Sequence, residues 1–234
     1  MQKTQDSLSL TWALPESMNI PVDKLRYRVD IFEEAILLHQ FGENGATSTR
    51  PVSAHDIARA FAREMRFASG VLPEGALWWS LGPEGEEVAL WRPPRVWKAA
   101  LVLEAFQPPR RFSLPMPGLV FVCSPGRPPR VYAAKKRPAS PGSPLCKAPL
   151  FNLLGGERAC SGTHRWPDRV EEVPESLFQA FFTREGEVRS RSRKHPQDLL
   201  ALWEEINGKK YFPVRDLLPC CTVEEAMGKK GEMT

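Results

Sequence analysis

No stretch of this 234-residue chain approaches the roughly 18 consecutive apolar residues that a membrane-crossing helix needs. The opening residues, MQKTQDSLSL, lack the basic segment and apolar run of a secretory signal. Together these absences predict a cytoplasmic protein with no membrane partner. The G-x-x-x-x-G-K-[ST] loop that cradles nucleotide phosphates is also missing. The chain is therefore not expected to activate an acyl group with ATP by itself. Its five cysteines are odd in number and irregularly spaced, without the paired cysteines of zinc sites. In a chain without an export signal they read as free thiols rather than a disulfide framework. Cys146, Cys160 and His164, completed by Cys220 or Cys221, thus make a poor metal set, and neither a metal nor another cofactor is expected. No internal repeat is visible. The charge excess is small, +4 from 32 basic and 28 acidic side chains, whereas strong nucleic-acid binders are more basic or concentrate their charge.

What is present points to a folded α+β protein. Hydrophobic residues make up 42% and charged residues 26%, which argues against wholesale disorder. Proline is abundant, and 13 of its 23 residues fall between Pro93 and Pro149. Proline breaks helices and central ladders, so that stretch is predicted to be strands joined by stiff turns. Residues 1–24 read as a weakly ordered lead-in. Alternation at Tyr27, Val29 and Ile31, then the run Ala35 to Leu38, predicts one or two strands. Asn44-Gly45 signals a hairpin ending near Arg50. Ser53 reads as a helix N-cap before Ile57, Phe61 and Met65 at helical spacing, with Gly70 ending the helix.

Short strand-like runs follow at Ala76–Leu81, Glu87–Trp91, Val96–Phe106, Leu119–Cys123 and Arg130–Ala134. Turns such as Gly82-Pro83-Glu84-Gly85 and Pro125-Gly126 separate them, which is the signature of an antiparallel meander. After Pro138 about thirty irregular residues are expected, long for a loop in a compact domain and hence a functional candidate. Two helices close the reading. Pro174 opens one with the stripe Leu177, Phe178, Phe181 and Phe182. The other begins near Pro196, carries Leu199, Leu202, Trp203 and Ile206, and is capped by Gly208.

The irregular segment holds the chemistry. Cys160 lies in Gly155-Gly156-Glu157-Arg158-Ala159-Cys160-Ser161-Gly162. Glycines on both sides allow close backbone approach by a bulky partner. Arg158, His164 and Arg165 place positive charge nearby, which favours the nucleophilic thiolate over a thiol of ordinary pKa ~8.5. The bland alternative is a small buried cysteine. Asn152, eight residues earlier, is either a turn-stabilising asparagine or an amide donor to the oxyanion of an attacked acyl carbonyl.

This spacing resembles the active-site loop of ubiquitin-conjugating enzymes, in which a His-Pro-Asn motif ends eight residues before the catalytic cysteine. Trp166-Pro167 is similar to the tryptophan and proline downstream in those enzymes. The closer resemblance is to a bacterial branch, prokaryotic ubiquitin-conjugating-like family D. It is carried by Ala148-Pro149-Leu150-Phe151-Asn152, Arg158-Ala159-Cys160-Ser161-Gly162, Phe178 to Phe182, and His195-Pro196 leading to Leu202-Trp203. It covers about residues 70–220 and is firmest over 144–205. The resemblance implies an antiparallel β-meander flanked by helices at 51–222, a hairpin-like N-terminal β extension over 1–50, and a flexible tail over 223–234.

The resemblance also implies an acyltransferase. A ThiF-like adenylating enzyme would hand a ubiquitin-like protein to Cys160 as a thioester, and Asn152 would stabilise the oxyanion. A JAB-type metallopeptidase often accompanies such systems, some of which act in antiphage defence. The sequence departs from the eukaryotic pattern in having Leu150-Phe151 where that pattern has His-Pro. The bacterial family uses a histidine C-terminal to the cysteine, a place that His195 fills by resemblance and His164 by proximity.

Other signals carry less. Arg184, Arg189, Arg191, Arg193 and Lys194, and separately Lys135, Lys136 and Arg137, read as solvated loops or as docking charge for an acidic protein face. Aromatics are not interleaved with them as nucleic-acid stacking requires. Of the seven tryptophans, all but Trp166, near the proposed site, read mostly as core, and Cys220-Cys221 reads as packing. Two further functions stay open: a non-catalytic adaptor on the same fold, and a cysteine hydrolase using Cys160 and His195.

Overall fold

The computed structural model describes residues 25–42, 45–64, 69–82, 85–104, 106–160, 162–184, 186 and 188–228. The predicted lead-in, the tips of the Asn44-Gly45 and Pro83-Glu84 turns, Met65 and the end of the tail lie outside them. Two compact units divide the chain, residues 1–68 and 69–234.

In the first unit β1 (Tyr27–Ile31), β2 (Ile36–Gly42) and β3 (Gly45–Val52) form an antiparallel sheet in that order. The β2–β3 hairpin is the one the Asn-Gly signal predicts. Helix α1 (Ala54–Glu64) follows. Its start is a reciprocal cap: Asp56 N–H donates to Ser53 Oγ at 3.0 Å, and Ser53 N–H donates to the Asp56 carboxylate at 3.3 Å.

The second unit is built from β4 (Ala76–Gly82), β5 (Gly85–Arg92), β6 (Arg95–Leu101), β7 (Arg110–Met116), β8 (Gly118–Cys123), β9 (Arg130–Ala134) and β10 (Pro144–Lys147). After the site segment come α2 (Val173–Gln179), β11 (Phe181–Phe182), α3 (Leu199–Ile206), β12 (Pro219–Thr222) and α4 (Val223–Ala226). The main sheet runs β12-β10-β9-β8-β5-β4 with antiparallel neighbours. A smaller sheet runs β11-β6-β7, with β11 parallel to β6. The fold is α+β, as expected, with the β6–β7 hairpin set out of the meander.

Residue alternation assigns the two faces of the main sheet. Leu90, Phe121, Val131 and Cys146 face a core shared with β6, β7, α2 and α3, while Ala89, Val120, Tyr132 and Leu145 face a smaller cluster with α4. Every residue of β8 is therefore buried. Trp97 stacks on Phe178 with ring centroids 4.0 Å apart, joining β6 to α2, and Phe112 meets Trp203 edge-on, joining β7 to α3.

The structure departs from the sequence reading at several places. Strand β10 lies inside the stretch read as irregular. Helix α2 ends at Gln179, because Ala180 turns extended (φ −67°, ψ 156°), so Phe181 and Phe182 form a strand rather than a helical stripe. Helix α3 starts at Leu199, not near Pro196, because the Asp198 carboxylate caps the N–H groups of Leu200 and Ala201. Cys220 is solvent-exposed on β12 rather than packed.

Gly118 is fixed by contact. A Cβ there would lie 1.9 Å from Cη2 of Trp91, an indole that is itself buried. Gly118→Ala is expected to cost about 1–3 kcal/mol through overpacking, read as a lower urea midpoint. An unchanged midpoint would mean that the indole moves aside freely.

Candidate active site

The segment after β10 folds back on itself as a closed loop. Asn152 adopts a left-handed backbone (φ 57°), a conformation asparagine tolerates better than most residues. From this bend the chain returns on itself. Cys160 N–H donates to Asn152 O at 2.7 Å, Leu154 N–H donates to Arg158 O at 2.8 Å, and Leu153 bridges Ala159. The spacing of eight is thus the span of one narrow hairpin, which sets the backbone of Asn152 beside that of Cys160. Ala159 N–H donates to Pro129 O at 2.8 Å, which ties the return arm to the start of β9.

Three contacts hold this loop from below. At its tip Glu157 turns inward and meets Arg191 at 2.6 Å, both side chains being almost fully buried. Leu150 and Phe151 are buried, Phe151 packs edge-on to Trp203, and Trp203 Nε1–H donates to Pro149 O at 2.9 Å. Both residues that replace His-Pro are thus buried, and Phe151 anchors the loop by apolar packing on α3. Gly186 (φ 91°) lies so close that a Cβ would come within 2.5 Å of Leu153 O.

Cys160 is partly exposed in a cleft of about 470 Å³. It is lined by Gly162, Thr163, His164, Arg165 and Trp166, and by Leu177 with the stretch from Gln179 to Phe181 and Thr183. Among the described residues none of the lining side chains is acidic, and Arg165 and His164 are basic. The cleft can therefore stabilise developing negative charge.

Asn152 reaches across to β11. Its Nδ2 donates to Phe181 O at 3.0 Å, and its Oδ1 accepts from Thr183 N–H at 2.8 Å and Thr183 Oγ at 2.9 Å. A side-chain amide has two N–H donors, and the Phe181 carbonyl takes one of them. His164 is held by Ser176 Oγ, 2.8 Å from Nε2, and stands edge-on to Trp166 at 4.7 Å.

Of the predicted site residues, the cleft brings together Cys160, Asn152 and His164. His195 does not line it. Its Nε2 lies 2.7 Å from Glu205 on α3, and its backbone N–H is held by Ser192 Oγ. Ser176 and Thr183 were missed by sequence reasoning, because each is marked only by its distant partner, His164 or Asn152. Arg191, read as part of a solvated basic run, is instead buried, while Arg184, Arg189, Arg193 and Lys194 are exposed.

The His195 contact has a pH consequence. Hydrogen bonds from His195 and Lys194 hold the Glu205 carboxyl down at about 2. A depressed carboxyl contributes stability above its ordinary 4.5, and that stability is lost as pH falls towards about 2. The thermal midpoints of the native chain and Glu205→Gln should differ near neutrality and converge across this window. A difference that persists at the acid end would show another group is responsible.

An antiparallel meander, flanking helices and a cysteine on a tight loop beside an open cleft define a protein of the ubiquitin-conjugating, E2-like class. The family model for prokaryotic E2 family D matches residues 54–220, well over half of the chain, and the chain belongs to that family. The match runs from α1 to the start of β12. No curated protein and no solved structure matches the chain. Membership relates it to ubiquitin-like conjugation. No helix among the described residues is long and apolar enough to cross a membrane.

Proposed function

We propose that the chain is a conjugating enzyme that carries a ubiquitin-like protein as a thioester on Cys160. The observation that carries this reading is the Asn152–Cys160 loop, closed by a 2.7 Å backbone hydrogen bond and open to a cleft that His164 shares. An adenylating activating enzyme of the ThiF type presents the ubiquitin-like C-terminus as its own thioester. The Cys160 thiolate attacks the carbonyl carbon, the remaining N–H of the Asn152 amide and the basic cleft stabilise the oxyanion, and the activating enzyme's thiolate leaves. His164, held by Ser176, assists the later proton transfer from an amine acceptor. His195 serves as a structural partner of Glu205.

The test is incubation with ATP, the ubiquitin-like protein and the activating enzyme, followed by non-reducing electrophoresis and intact mass spectrometry. A reductant-sensitive adduct is expected on the native chain and should be absent from Cys160→Ala. An adduct that persists in Cys160→Ala would overturn the assignment. One observation favours a second reading, the non-catalytic adaptor: both ends of the Asn152 amide are already engaged by β11. That reading predicts a partner complex without any adduct, and a Cys160 inert to alkylation in the folded protein.

A further inference from the structure

The register between β10 and β12 slips by one residue. Leu145 faces Cys221 while Cys146 faces Pro219, which makes Cys220 the extra residue of a β-bulge. Successive side chains of a regular strand point to opposite faces, so adjacent cysteines ordinarily keep their sulfurs apart. The bulge re-aims Cys220, and its Sγ lies 3.6 Å from that of Cys221. The pair sits on the outermost strand of the main sheet, with Cys220 exposed and Cys221 half-buried. Cys123 and Cys146, by contrast, are sealed in the core.

We propose that Cys220 and Cys221 form a second thiol site, separate from the Cys160 cleft, which a small-molecule disulfide oxidises reversibly to a vicinal disulfide. The hydrogen bond between the two thiols holds Cys221 below the ordinary thiol range and Cys220 above it, which makes Cys221 the attacking sulfur. The Cys221 thiolate attacks one sulfur of the small disulfide and expels the first thiolate. Cys220 then attacks Cys221 Sγ and expels the second. The two protons from the pair end on the two leaving thiolates, so the protein loses two electrons and the small disulfide gains them. Adjacent Cα atoms stand only about 3.8 Å apart, short of the roughly 4.4–6.8 Å that disulfides usually span. The ring is therefore strained, and strained disulfides are readily reduced.

The experiment treats the full native chain and Cys160→Ala with excess oxidised glutathione, then alkylates, digests and weighs the peptide containing both residues. The expected product, in both proteins, lacks two hydrogen atoms, retains no glutathione, and reverts with dithiothreitol. Cys220→Ser should instead trap glutathione on Cys221, because the resolving thiol is gone. Three outcomes would overturn the proposal: glutathione retained on the intact pair, a disulfide between two copies of the chain, or two thiols that remain alkylatable after the treatment.

Discussion

Glu157→Gln is expected to destabilise the protein by about 1.5–3 kcal/mol, read as a lower urea midpoint at unchanged slope. The size follows from what remains rather than from what is lost. A buried ion pair contributes little net stability over a well-packed apolar pair, but removing one partner leaves the other charge buried with less to compensate it. The Arg191 side chain has no exposed surface, and its Nη1 also donates to Ala148 O at 3.1 Å. Glutamine keeps the shape and the left-handed backbone of Glu157 while removing the charge, so the substitution isolates the electrostatic part. The double replacement Glu157→Leu with Arg191→Met should recover most of the loss. A cost under about 1 kcal/mol, in the range of exposed pairs, would mean that the remaining surroundings of Arg191 compensate its charge. Because Glu157 is the tip of the loop that presents Cys160, the single variant should also lower adduct formation.

Asn152→Ala is expected to slow thioester formation by about 10²–10³-fold, the usual cost of losing one oxyanion donor. Alanine also removes the hydrogen bonds to Phe181 and Thr183, so a second variant separates the two effects. Asn152→Asp keeps an acceptor for Thr183 N–H and Oγ but has no N–H to give. It should slow transfer to Cys160 far more than it slows Cys160 alkylation. Transfer by Asn152→Asp within a few-fold of the native rate would make the amide purely a clamp between the loop and β11.

The sequence made the central strands readable because burial left a clear pattern. β8 is an unbroken apolar run buried on both faces, and β5 ends in one. Strand β7 was hidden by its two arginines and Pro115. It lies at the edge of its sheet, where a missing N–H costs no ladder bond. Strand β10 is four residues long and begins with proline, so only its neighbours β9 and β12 define it. The Leu177, Phe178, Phe181, Phe182 pattern fits a helix by spacing. It breaks because Val102 N–H bonds Phe182 O and Asn152 clamps the chain on both sides of Phe182, contacts no local window contains. The same holds at the site. The Asn152–Cys160 spacing was visible because one hairpin encodes it. The choice between His164 and His195 was not, since it depends on where Ser176 and Glu205 arrive in space.

The dependence of the cysteine loop on Trp203 also sets an order of events during synthesis. Pro149 and Phe151 take their places only when the indole is present to accept them, and that indole belongs to a helix made well after Cys160. A nascent chain that has just emerged with Cys160 lacks the support for its cleft. The loop gains that support only once α3 has been made, so a product truncated before α3 is expected to carry Cys160 on an unsupported loop.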